Sequence, residues 1–192
     1  MLRWLGLLLF AVAFGVASWA MAHALEHRLS PVAALGAPWL LAAFGAGLTQ
    51  RSWPMAALAG AIVPALATAA YYATFVAVYP GTAHYSAAMT IGWGGAAAAA
   101  GAVFGAAARK PRTRWAVAGA LLVAEALALT AEPGPAQTLY AAELLSGLAV
   151  LTWAVLRSPG PAIGAAVALV PAFTIAELML LDTMRSLGWG GG

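Results

Sequence analysis

Apolar positions dominate this chain in seven long stretches, and each stretch is closed by a short polar or turn-forming break. A membrane-crossing helix needs roughly 20 mostly apolar residues, within a range of about 17–25. By that measure the spans are Arg3–Ala24, Val32–Thr49, Met55–Tyr79, Tyr85–Ala108, Trp115–Ala131, Thr138–Leu156 and Ala162–Leu181. The breaks are Glu26-His27-Arg28 with Ser30-Pro31, Gln50-Arg51-Ser52, Pro80-Gly81, Arg109 to Arg114, Glu132-Pro133-Gly134-Pro135, and Arg157-Ser158-Pro159-Gly160-Pro161. Connections this short make neighbouring helices antiparallel. Pro38 interrupts the second span, which makes it the weakest and allows a re-entrant segment with six full crossings in place of seven. The pattern predicts an all-α fold: a polytopic transmembrane helix bundle forming one domain over residues 1–192.

Basic residues orient the spans, because short loops rich in Lys and Arg stay cytoplasmic. Arg109, Lys110, Arg112 and Arg114 form one cluster, and alternation places Arg3, Arg51 and Arg157 on the same side. Only Arg28 and Arg185 fall opposite, so the N-terminus is expected inside and the C-terminus outside. Trp4, Trp53, Trp115 and Trp153 then lie at inner helix ends, and Tyr79, Tyr85 and Tyr140 at outer ends, as interfacial aromatics do. Ala20-Met21-Ala22 has the small-x-small form of a signal-peptidase site behind Arg3. The apolar run before it is longer than a signal-peptide core, which favours an uncleaved first helix.

Composition changes the picture by exclusion. The chain is 64% hydrophobic and 8% charged, with a net charge of +3, and its mean hydropathy is +0.89. Soluble domains are about 25% charged, so a water-soluble fold is excluded and the plasma membrane is the expected location, with the lipid bilayer as principal partner. Absence of cysteine removes disulfides, thiolate metal sites and a cysteine nucleophile. The basic residues sit in short loops and form no stripe for a phosphate backbone, so no nucleic-acid partner is expected. Ala and Gly are so frequent, against a single lysine (Lys110), that patterns of small residues carry little weight.

On this topology every acidic residue and every histidine lies in the outer half. Glu125, Glu143 and Glu177 fall within about 9 Å of the outer boundary at 1.5 Å per residue. A charged side chain in hydrocarbon costs roughly 2.5–3.5 kcal/mol on insertion scales, so such groups face the bundle interior or water. Tyr140, Glu143, Ser146 and Gly147 share a helical face, Thr174 lies one turn before Glu177, and Tyr71 and Tyr72 sit at similar depth in the third span. A polar pocket opening outward is the natural assembly of these side chains. The plainer alternative is that the carboxylates reach interfacial water or act as glue between helices.

His23-Ala24-Leu25-Glu26-His27 reads H-x-x-E-H, the form of the inverted zincin signature. With His84 on the same side it supplies weak metal-ligand candidates (His23, Glu26, His27, His84). The simpler reading is the polar end of a transmembrane helix: Arg28 opposes a dication, and neither metal nor other cofactor is expected. The H-x-x-x-H of seven-span zinc hydrolases belongs in their last helix, whereas here it stands in the first. Gly101-x-x-x-Gly105 is a close-packing motif. Pro64 and Pro171 lie in similar contexts with three full spans between them, compatible with a 3+1+3 repeat. No nucleophile elbow, P-loop, rhomboid-type serine motif or last-span lysine is present.

Leu35-Gly36-Ala37-Pro38-Trp39-Leu40-Leu41-Ala42-Ala43-Phe44, followed by Tyr71-Tyr72, resembles a group of small, uncharacterised actinobacterial multi-span membrane proteins classed as a domain of unknown function. The resemblance covers most of the chain and is compatible with the topology, but supplies no activity, cofactor or catalytic residue. Three functions fit the residues. The first is a small transporter or channel-like protein in which Glu125, Glu143 and Glu177 bind a cation, proton or small solute and Tyr71, Tyr72, Tyr140, Ser146 and Thr174 line the pocket. The second is a non-catalytic assembly or scaffold protein, its protein partners unspecified. The third is a metal-dependent intramembrane enzyme using His23 and His27, with Glu26 as a further candidate.

Overall fold

Long apolar runs without interior glycine-proline breaks can satisfy their backbone only as helices, and helices are what they form. The computed structural model describes residues 2–23, 36–130 and 137–186; for residues 137, 177, 180, 181 and 183–186 it describes the backbone alone. Among the described residues there are seven α-helices and no strand: α1 (Leu2–His23), α2 (Ala37–Leu48), α3 (Trp53–Val78), α4 (Ala83–Ala107), α5 (Arg114–Thr130), α6 (Gln137–Arg157) and α7 (Pro159–Ser186). A single 3-10 turn, Pro80–Thr82, joins α3 to α4.

Five stretches are long and apolar enough to cross a membrane: Leu2–His23, Trp53–Val78, Pro80–Ala107, Thr138–Arg157 and Pro159–Ala176. Much of their surface is apolar and uncovered by protein. Ile91, Val167 and Leu145 are 78%, 70% and 68% exposed, and side chains of this kind stay on a stable surface only where lipid replaces water. The second apolar stretch departs from expectation. Its helix, α2, has 12 residues, about 18 Å at 1.5 Å per residue against a hydrocarbon core of roughly 30 Å. Pro38 stands in its first turn, where a missing N–H costs nothing.

The last helix also starts earlier than its apolar run. Pro159-Gly160-Pro161, a break by composition, forms the first turn of α7, leaving Ser158 as the whole connection from α6. Both prolines lie where the backbone N–H has no intrahelical acceptor, so they begin the helix rather than break it. Ser158 N–H donates to the Ala154 carbonyl and Ala162 N–H to the Ser158 carbonyl, so hydrogen bonding runs through the joint.

The chain packs as two compact units, residues 1–110 and 111–192. In the first, α1 and α3 run parallel, with Gly15 against Ala67 and His23 against Phe75. Ala11 on α1, Ala46 on α2 and Ala59 and Val63 on α3 form its core, flanked by Trp4, Leu7, Ala42 and Leu66. Along the antiparallel α3–α4 contact a methyl group at Gly105 would collide with the Ala56 carbonyl, and one at Gly101 with the Gly60 carbonyl. Pro64 explains the second approach. It lacks the N–H that would bond the Gly60 carbonyl, and that carbonyl instead faces the Gly101 backbone, an arrangement suited to a weak Cα–H···O contact.

In the second unit α5 is central, packed on both α6 and α7. Ala116, Ala154 and Ala162 are buried together at one end, with Trp115, Leu151, Val155 and Ala165 around them. The kinship of the Pro64 and Pro171 contexts has no counterpart in packing: Pro64 is buried on the central helix of its unit, whereas Pro171 is exposed on an outer helix of the other.

Candidate functional site

Carboxylates enter the second unit on helices rich in Ala, Leu and Val. Ten residues of α5 are buried, among them Glu125, which is 3% exposed. On α6, Glu143 is 8% exposed. Gly147, one turn further on, is pressed against Val123, and Gly119 lies against Leu151. These pairs run in opposite order, so α5 and α6 are antiparallel, and one turn back from Gly147 puts Glu143 level with Leu127. Glu125 is therefore about 3 Å away along the helix axis.

Helix α7 adds Thr174 at this level. Its hydroxyl donates to the Val170 carbonyl of its own helix at 2.8 Å and reaches to 3.5 Å from the Ala124 carbonyl of α5, the residue before Glu125. Glu177 lies on α7 three residues beyond Thr174; its side chain is outside the described residues. Tyr140 is half-buried one turn before Glu143. Ser146 is exposed, and its hydroxyl donates to the Ala142 carbonyl at 2.8 Å. The face of α6 that turns inward thus carries Glu143 and Gly147 but leaves Ser146 outside.

Tyr71 and Tyr72 belong to the first unit, where they join an aromatic cluster. Their rings meet edge to face, with centroids 5.1 Å apart. Tyr71 also contacts Trp39 of α2 at 6.5 Å and His23 of α1 at 6.1 Å. The His23 ring stacks on Trp19 at 5.2 Å and leans on Phe75 at 5.5 Å. Its Nδ1–H donates to the Trp19 carbonyl, 3.1 Å away. Edge-to-face and stacked rings of this kind add about 0.5–1.5 kcal/mol each beyond the area they bury. Trp19, Trp39 and Phe75 are the residues that sequence reasoning missed. The signal was present in the i, i+4 spacings of Trp19 and His23 and of Tyr71, Phe75 and Tyr79.

Among the described residues no three metal-ligating side chains gather. His84 is exposed in the first turn of α4; Glu26 and His27 lie outside the described residues. Tryptophan and arginine gather where α5 begins and α6 ends. The Trp115 and Trp153 rings meet edge to face at 5.5 Å, Arg157 covers Trp153 at 5.1 Å, and Arg114 covers Trp115 at 5.5 Å. Indole rings under guanidinium groups suit a membrane–water interface, where one end of each side chain is apolar and the other wet.

Five apolar helices of membrane-crossing length and uncovered aliphatic faces are the architecture of a multi-pass membrane protein. Within that class the chain belongs to DUF6518, a family of unknown function, whose profile matches residues 1–185. No curated protein and no solved structure matches it.

Proposed function

We propose that the protein is a small transporter or channel-like protein of the plasma membrane, in which Glu125 and Glu143, with Glu177, bind a cation, a proton or a small solute. The observation that carries this reading is the burial of Glu125 and Glu143 at one level of a three-helix unit. Ionisable groups held inside a membrane bundle cost several kcal/mol in hydrocarbon and mark ion or proton pathways. Thr174 and Tyr140 complete the set within the second unit.

The reading includes one transmembrane domain with seven passes, the N-terminus inside and the C-terminus outside. Parallel packing of α1 on α3 supports the odd number, because a chain that leaves one end of α1 and re-enters at the same end as α1 began has crossed back between them. Trp39 lies against Phe14, 5.1 Å away, midway along α1, and α2 ends beside the start of α1, so α2 makes the inner half of that return.

Reconstitution tests the function. Proteoliposomes containing the full chain, loaded with a pH-sensitive dye or a sodium- or potassium-sensitive dye, should dissipate an imposed ion gradient faster than protein-free liposomes. Glu125→Gln and Glu143→Gln should each slow that flux by at least roughly tenfold, the loss of one 1.4 kcal/mol interaction. Wild-type flux at the protein-free rate, or full flux in both variants, contradicts the proposal. Absent flux together with lowered thermal stability of the variants would leave the carboxylates as helix glue.

A further inference from the structure

Among the described residues of the first unit, charge is one-sided. The unit's described ionisable side chains include Arg3, Arg51, Arg109 and Lys110, and among its described residues there is no Asp or Glu. All four cations sit at one end. Arg3 opens α1, Arg51 lies between α2 and α3, and Arg109 and Lys110 follow α4. Packing brings these segments together: parallel α1 and α3 begin at the same end, and antiparallel α4 finishes there. Arg109 Nη2 donates to the Arg51 carbonyl at 3.2 Å, tying the end of α4 to the α2–α3 connection.

At this end a cleft of about 430 Å³ lies between the start of α1 and the end of α2, lined by Arg3, Gly6, Leu7 and Thr49. Ligand-sized pockets run from about 300 to 1,000 Å³. The cleft lies beyond the core cluster that holds Ala11 of α1 and Ala46 of α2, where Gly6 presents no side chain and has nothing within 4 Å of where one would stand. The Thr49 hydroxyl is occupied: it donates to the Ala46 carbonyl at 2.7 Å and accepts from Gln50 Nε2 at 2.8 Å. Arg3 is therefore the lining side chain with donors to offer, and a guanidinium presents five in a fork that suits phosphate. On the same face of α1 as Arg3, one and two turns further on, stand Leu7 and Phe10, the latter 47% exposed, an apolar strip running from the cation into the hydrocarbon.

We propose that this cleft holds the headgroup phosphate of an anionic glycerophospholipid against Arg3, with its acyl chains along the Leu7–Phe10 face of α1. Charge complementarity selects the occupant. Four cations with no carboxylate among the described residues of the unit favour an anionic headgroup over a zwitterionic one, and basic pockets between helices at a membrane surface are a known form of lipid site. The apolar strip distinguishes a lipid from a free phosphate ion, which has no use for it.

Native mass spectrometry of the purified full-length protein in neutral detergent, titrated with phosphatidylglycerol, phosphatidylcholine or inorganic phosphate, tests the proposal. Phosphatidylglycerol should bind at least roughly fivefold more tightly than phosphatidylcholine, and Arg3→Gln should erase most of that preference, since one basic residue at the surface contributes about 1 kcal/mol. Gly6→Leu, which fills the cleft and keeps every charge, should weaken phosphatidylglycerol binding as well. Arg157→Gln, in the other unit, should leave it unchanged. Arg3 is exposed, so its substitution should not shift the thermal midpoint, which is measured alongside. Equal binding of the two lipids, unchanged binding in Arg3→Gln and Gly6→Leu, or full displacement by millimolar inorganic phosphate overturns the proposal, the last by making the site one for a free anion.

Discussion

Gly60, Gly101 and Gly105 set the distance between α3 and α4, because a side chain on any of them would enter the backbone of the facing helix. Without a hydrophobic force between helices in lipid, such backbone approach is what holds neighbouring spans together. Gly105→Leu should therefore destabilise the protein by about 1–3 kcal/mol or more through overpacking, read as a lower thermal midpoint in detergent. Gly92→Leu on the same helix, where nothing lies within 4 Å, should leave the midpoint close to wild type. Equal shifts in the two variants would remove the close contact as a source of stability. Threonine illustrates the complementary device. Thr68, Thr74, Thr90 and Thr174 each return their hydroxyl to the carbonyl four residues back, so a polar group crosses an apolar helix without an unmet donor.

Helices were more legible in the sequence than their ends or their partners. Apolar length alone located α1, α3, α4, α6 and α7 to within a few residues, because nothing else satisfies a lipid-exposed backbone. It misjudged proline: Pro159 and Pro161 read as a break but open α7, since proline's effect depends on its distance from the helix start. It also could not separate the 12 residues of α2 from a full span, because hydropathy counts apolar residues whether or not they are helical. The proposed orientation of the passes is tested by labelling, which the absence of native cysteine makes clean. Gly81→Cys, in the open turn after α3, and Pro111→Cys, in the basic loop after α4, are separated by one span. In intact cells a membrane-impermeant maleimide should label Gly81→Cys and spare Pro111→Cys until the membrane is opened. The reverse pattern would invert the topology.

At the scale of the whole chain the two units divide their chemistry. Cations gather at one end of the first, and buried carboxylates lie within the second. The carboxylates were legible in the sequence as candidates because each is a costly exception in an apolar helix. Their grouping was legible only in part. Common depth brought Glu125 and Glu143 to one level, but helical spacing could not say that Ser146 stays outside while Gly147 turns in, nor that Tyr71 and Tyr72 pack with His23 and Trp39. Those outcomes depend on which neighbour each face meets, and a single helix does not encode its neighbour. The Arg3 cleft was not legible at all, since it is the gap left where two helices part.

The central claim is that Glu125 and Glu143 serve one site. A double-mutant cycle on ion flux in proteoliposomes tests it most directly, because groups that act as a unit are non-additive whereas independent groups add. With Glu125→Gln and Glu143→Gln each slowing flux about tenfold, a shared site makes the double variant no slower than the slower single variant. A double variant slowed by the product of the two effects, roughly a hundredfold, would show two independent groups and contradict a shared site.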